Sequence, residues 1–145
     1  MLQNVVQEVI QEVMESRETT KRQGVKLLFF RKVKFIAVGG NAVAHVDASF
    51  DKVINFMERQ LNHNDHLNLY FAFRVFDFKT LTYLFRIFKM LNMAYVKGKA
   101  IQVFWSHADN PEMIDAGLEL KTFCDFPFEI IGIGGFSVSY WSQAS

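Results

Sequence analysis

Cysteine and proline are almost absent from this 145-residue chain, which has one Cys and two Pro. A lone thiol, Cys124, excludes an internal disulfide and a CxxC metal knuckle, and suits a reducing compartment. Net charge is also nearly absent. Sixteen basic residues face 15 acidic ones, leaving a formal +1, so no long-range field draws in nucleic acid. No apolar run approaches the roughly 18 residues that a spanning helix needs. Glu8 and Glu12 stand where a secretion signal requires a basic start and an uncharged apolar stretch. The expected location is the cytoplasm.

Phenylalanine, by contrast, is abundant. With 16 Phe and 50% hydrophobic residues, the chain has ample material for one packed domain. Its most informative stretch is Phe71 to Leu91, where the hydrophobic period changes. Up to Asp77 the apolar residues alternate, with Leu67, Leu69, Phe71 and Phe73 on one face. Beyond it Leu81, Leu84, Phe85, Phe88 and Leu91 recur at helical spacing. A buried strand therefore runs directly into a helix, and the stripe predicts that Phe85 lies in the core. Asp77 is placed to cap the helix, with Thr80 in its first turn, where the dipole favours an anion.

The rest of the pattern is α/β. Residues 1–20 read as an amphipathic helix, with Leu2, Val5, Val6, Val9, Ile10, Val13 and Met14 on one side and Gln and Glu on the other. That stripe either packs on its own domain or pairs with a second copy, giving a homodimer, or with a partner. The polar run Arg17 to Gly24 follows, with the linker drawn at 21–24 and the main domain at 25–145. Val25–Phe30 and Val33–Val38 read as two strands joined by a tight turn or one bent strand, and Gly39-Gly40-Asn41 is expected to end them. A helix over Ser49–Leu61, the strand and helix around Asp77, and a strand over Ala100–Trp105 come next. Asn110-Pro111 opens another helix, since Asn caps well and Pro suits the first helical position. Phe128–Ile133 is the last core strand, and the tail Gly134–Ser145 either adds an edge strand or remains apart. The order implies one domain with a mixed sheet of roughly four or five strands. Right-handed crossovers would put the helices mainly on one face.

Little in the sequence points to catalysis. Four histidines, His45, His63, His66 and His107, include no i, i+4 pair on a predicted helix, so no metal is expected. Asp47, Asp77, Asp109, Glu112 and Asp115 read as caps or first-turn acids. There is no GxSxG elbow, no Cys-His pair and no phosphate loop. No cofactor is expected, and an enzyme is the weakest of the classes considered. On the helix after Asp77, however, Lys79, Thr82, Arg86 and Lys89 share the polar face, so that a phosphate on Thr82 would meet Lys79 and Arg86.

The strand-to-helix junction, with the later segments DNPEMIDAG (Asp109–Gly117) and FPFEIIGI (Phe126–Ile133), resembles the SiaC-like family of small bacterial regulatory phosphoproteins, whose fold is similar to that of anti-sigma-factor antagonists (STAS-like domains). The resemblance spans Phe35 to Ile133. A Phe-Asn-Thr-Ser-Ser motif of that family falls on Phe76, Asp77, Phe78, Lys79 and Thr80, so its usual phosphate acceptor falls on Phe78, which has no hydroxyl. The resemblance implies a non-enzymatic signalling regulator in a partner-switching pathway. Its implied partners are a Ser/Thr kinase, a metal-dependent phosphatase and, in some members, a diguanylate cyclase controlling biofilm formation. On this reading Thr80 and Thr82 are the phosphorylation candidates, and Asp77, Phe78, Lys79, Arg86 and Lys89 the candidate partner surface. A constitutive adaptor, or an oligomerising structural domain with the switch lost, is the alternative.

Overall fold

A computed structural model describes residues 25–43, 46–107 and 109–132. The amphipathic stripe within 1–20, the linker at 21–24 and the tail from 134 lie outside the described residues. Among the described residues eight elements follow one another: β1 (Val25–Phe30), β2 (Phe35–Ala42), α1 (Val46–His63), β3 (His66–Phe76), α2 (Phe78–Val96), β4 (Ala100–Ser106), α3 (Pro111–Lys121) and β5 (Phe128–Ile131), with a 3-10 turn over Arg31–Val33 between the first two strands. They form one mixed sheet whose spatial order is the chain order, β1-β2-β3-β4-β5. The hairpin β1–β2 is antiparallel and the other three pairings are parallel. This is the mixed α/β domain that the hydrophobic periods predict.

Because the strands are laid down in one direction without reversal, right-handed crossovers carry all three helices to the same face. The core lies under them. Ile36 and Val38 from β2, Leu67, Leu69, Phe71 and Phe73 from β3, and Ile101, Val103 and Trp105 from β4 meet Phe50, Leu84, Phe88, Met113 and Leu120 from the helices. The period-2 alternation before Asp77 is thus the inner face of β3. The opposite face carries Phe35, Ala37, Tyr70, Ala72, Phe104 and Ile131, all buried.

Two expectations need correction. The strand does not end at Gly39-Gly40-Asn41. It continues to Ala42 across a register shift between Gly40 and Asn41, where Gly40 takes φ 102. A glycine at that angle lets the backbone bulge without leaving the ladder. The buried stripe of α2 is also rotated from the predicted one: Thr80, Leu84, Ile87, Phe88 and Leu91 are buried, while Leu81 and Phe85 are half-buried. The Phe85 ring lies against Phe123, with centroids 5.3 Å apart.

Asn110 and Pro111 open α3 as expected, the Asn110 side chain accepting a hydrogen bond from the Glu112 N–H. The helix then passes over Trp105, whose indole N–H donates to the Met113 carbonyl at 2.8 Å. Gly117 makes this approach possible, since a Cβ there would stand 2.6 Å from the Trp105 Cδ1. Gly117→Ala is accordingly expected to destabilise the domain by about 1–3 kcal/mol, an overpacking cost that outweighs the gain in helix propensity. Urea denaturation measures it, and an unchanged midpoint would mean that α3 yields freely over Trp105.

Candidate functional site

The end of β3 and the start of α2 meet the end of β2 and the start of α1, and the junction residues gather there. Asp77 is the N-cap of α2. Its carboxylate accepts from the Thr80 N–H at 2.9 Å, satisfying one of the unpaired donors of the first turn. The capping role read from the sequence is the one observed.

Thr80 differs from expectation. It is completely buried, and its hydroxyl donates to the Ala42 carbonyl at 2.8 Å, with the Asp77 carboxylate 3.0 Å away. The bulge that prolongs β2 brings that carbonyl within reach. Its hydroxyl, expected to be a phosphorylation candidate, is closed to a kinase in this conformation and staples α2 to β2. Thr82 is exposed, its hydroxyl donating to the Lys79 carbonyl at 2.6 Å.

Lys79, Arg86 and Lys89 are exposed along the same helix. Two of them are already engaged. The Lys79 ammonium pairs with the Asp47 carboxylate at 2.7 Å, and the Arg86 guanidinium lies 5.5 Å from the centre of the Tyr83 ring. The Tyr83 hydroxyl also donates to Asp47, and its ring stacks on Phe50 with centroids 5.3 Å apart. Asp47 therefore links the first turn of α1 to that of α2. The Lys79 ammonium and the Tyr83 hydroxyl together hold its carboxyl below the usual value. The same carboxylate raises the pKa of Lys79 and of Tyr83 by stabilising their protonated forms. Sequence spacing could not find this cluster, because Asp47 lies 32 residues from Lys79.

Phe78 is the unusual member. It occupies the first position of α2 and is 80% exposed, with Val75 at the end of β3 and Val43 just past β2 also exposed. Asn41 pairs with Val75 and Ala42 with Phe76, so both valines belong to adjoining strand ends beside Phe78. Three exposed apolar residues thus stand at the same end of the sheet, on the strand ends and helix start that also carry Asp77 and Lys79. No group of three or more His, Cys, Asp or Glu residues able to hold a metal ion occurs among the described residues.

Residues 8–133 match the SiaC family of regulatory phosphoproteins. The chain belongs to that family. SiaC membership therefore reaches further toward the N-terminus than the span starting at Phe35, and takes in most of the amphipathic stripe. Among solved structures the chain is similar to one from the crystal structure of the diguanylate cyclase SiaD in complex with its activator SiaC, from Pseudomonas aeruginosa. That match has a TM-score of 0.70 at 18% identity and covers 77% of this chain and 93% of the other. Apo-SiaC from the same organism gives 0.68 at 19% identity, covering 76% and 92%, and another SiaC structure gives 0.67 at 18%, covering 73% and 88%. These likenesses show that the SiaC fold is shared. No curated protein matches the chain. Among the described residues no helix is long and apolar enough to cross a membrane.

Proposed function

We propose that this SiaC-family protein is a non-enzymatic cytoplasmic regulator that docks on a diguanylate cyclase through the surface around Phe78, under the control of a partner-switching kinase and phosphatase. The observation that carries this reading is the exposed Phe78 ring, at the same end of the sheet as the exposed Val43 and Val75. A large aromatic side chain held on a capped helix end loses little entropy on binding and makes an effective interface anchor. Asp77 fixes the helix end on which the ring stands. Lys79 beside the ring, with Arg86 and Lys89 farther along the same helix, supplies basic charge that reads the sign of the partner's surface. The crystal structure of the cyclase SiaD in complex with its activator SiaC, to which the chain is similar, supports the choice of partner.

Phosphate control falls to Thr82 on this reading. Phe78 has no hydroxyl, Thr80 is buried and Thr82 is exposed. A phosphate brings about −1.5 to −2 charge near neutral pH, enough to draw Lys79 from Asp47 and reverse the local sign. Phe78→Asp is expected to weaken binding to the cell's diguanylate cyclase by about 100-fold or more, the loss typical of a central anchor, with the thermal midpoint unchanged. Calorimetric titration with the purified cyclase measures it. Phe78→Asp binding like the parent would sink the proposed surface. Intact-protein mass spectrometry from native cells tests the switch, and a chain carrying no phosphate there is a constitutive adaptor.

A further inference from the structure

The three helices leave one side of the sheet to be covered by something else. On that side the registers align Leu28 with Ala37, Ala37 with Tyr70, Tyr70 with Phe104 and Phe104 with Glu129, a continuous row across all five strands. The next row pairs Gly39 with Ala72. Phe35, Ala37, Tyr70, Ala72, Phe104 and Ile131 are nevertheless at most 8% exposed, although among the described residues only Leu28, Phe30 and Val33, from β1 and the 3-10 turn after it, pack against them and no α-helix does. Neighbouring side chains alone do not bury an open sheet face to that degree, because successive residues project straight out of it.

We infer that residues 2–14 of the same chain cover this face as an amphipathic helix lying across the strands. Three features point to this segment. The row spans four inter-strand gaps, about 19 Å, and 13 helical residues extend about 20 Å. The stripe Leu2, Val5, Val6, Val9, Ile10, Val13 and Met14 is apolar on one side only, as required of a helix with a sheet below and water above. Ala37, Gly39 and Ala72 form a shallow lane in the middle of the face, where a helix backbone approaches closely while Phe35, Tyr70 and Phe104 rise beside it. Residues 15–24 supply ten residues of connection to the first residue of β1 at the sheet edge, ample for the helix to turn back over its own domain. The tail beyond Ile133 offers Phe136, Val138, Tyr140 and Trp141, an alternating set that suits a single edge strand better than a cover for five strands. The cover would turn Gln3, Gln7, Glu8, Gln11 and Glu12 outward, giving that side of the molecule an acidic surface.

Hydrogen exchange of the intact chain at residues 2–14, together with a Val6→Gln, Val9→Gln variant and a chain ending at Ile133, tests the inference. The amides of 2–14 are expected to exchange at least tenfold more slowly than those of residues 17–24. The double variant is expected to bind a hydrophobic dye such as bis-ANS several-fold more strongly, and the chain ending at Ile133 to bind it like the parent. If the double variant does not fold, the exchange rates of the parent still decide. Unprotected amides at 2–14, or dye binding that rises only on removal of the tail, would overturn the assignment. Sedimentation of the parent as a monomer is expected. A dimer that dissociates in the double variant would overturn the intramolecular placement in favour of a segment donated by a second copy.

Discussion

Thr80→Asp is expected to unfold the domain or cost it about 3 kcal/mol or more, although Asp is the usual mimic of a phosphorylated threonine. The position is completely buried, the hydroxyl donates to the Ala42 carbonyl, and the Asp77 carboxylate is 3.0 Å from it. An aspartate there would be a desolvated anion pointing at a carbonyl and another carboxylate, with no positive partner to offset the loss of water. Thr80→Val removes the hydrogen bond without adding charge, and is expected to cost about 1–2 kcal/mol. Thr82→Asp, on the exposed side of the same helix, should stay within about 0.5 kcal/mol of the parent. Urea denaturation of the three variants separates these outcomes. A folded Thr80→Asp with parental stability would mean that the first turn of α2 opens readily. If it does not open, loss of partner binding in Thr80→Asp reports unfolding, and Thr82→Asp is the informative mimic.

Phe88→Ala is expected to cost about 3–5 kcal/mol, the range for emptying a large buried aromatic site. The ring is fully buried, with its centroid 4.9 Å from that of Phe71, 5.5 Å from Phe128 and 6.2 Å from Trp105. It therefore joins α2 to three strands at once. Phe85→Ala is expected to lose much less, about 1–2 kcal/mol, because Phe85 is half-buried and rests mainly against Phe123. The pair of midpoints measures how α2 is rotated on the sheet. Equal losses would place both rings in the same environment and contradict the observed face.

The contrast between Phe85 and Phe88 also shows what periodicity conveys. A helical repeat identifies α2 and its general apolar side, but an amphipathic arc built from Phe and Leu is wide enough that its centre is ambiguous. The rotation was decided by Thr80, a polar residue that sequence reasoning assigns to the surface and that is buried because a carbonyl 38 residues away accepts a hydrogen bond from its hydroxyl. The bulge at Gly40 and Asn41 was hidden for a similar reason, since Gly-Gly-Asn reads equally as a stop or as a strand that tolerates a kink. Local signals were legible where the physics is local. Asp77 as a cap, Asn110-Pro111 as a helix start and the alternation of β3 all depend on residues within one or two turns. The link from Asp47 to Lys79 and Tyr83 is tertiary, and nothing in the order of residues announces it. Phe78 was legible as a departure from the SiaC-family motif, while its exposure beside Val43 and Val75 required the strand ends to be placed.

The agreement between strand order and chain order bears on how the protein is made. Of the described strands, a chain leaving the ribosome presents the β1–β2 hairpin first, a pairing that needs only local closure. Each later strand then finds the edge left by its predecessor and brings a helix to the same side, so assembly can follow synthesis without waiting for a distant segment. Of the described strands the four residues of β5 are the last to be added. Until they arrive β4 is an unpaired edge, and the interval between translating Ser106 and Ile131 is when the nascent chain is most open to edge-to-edge association.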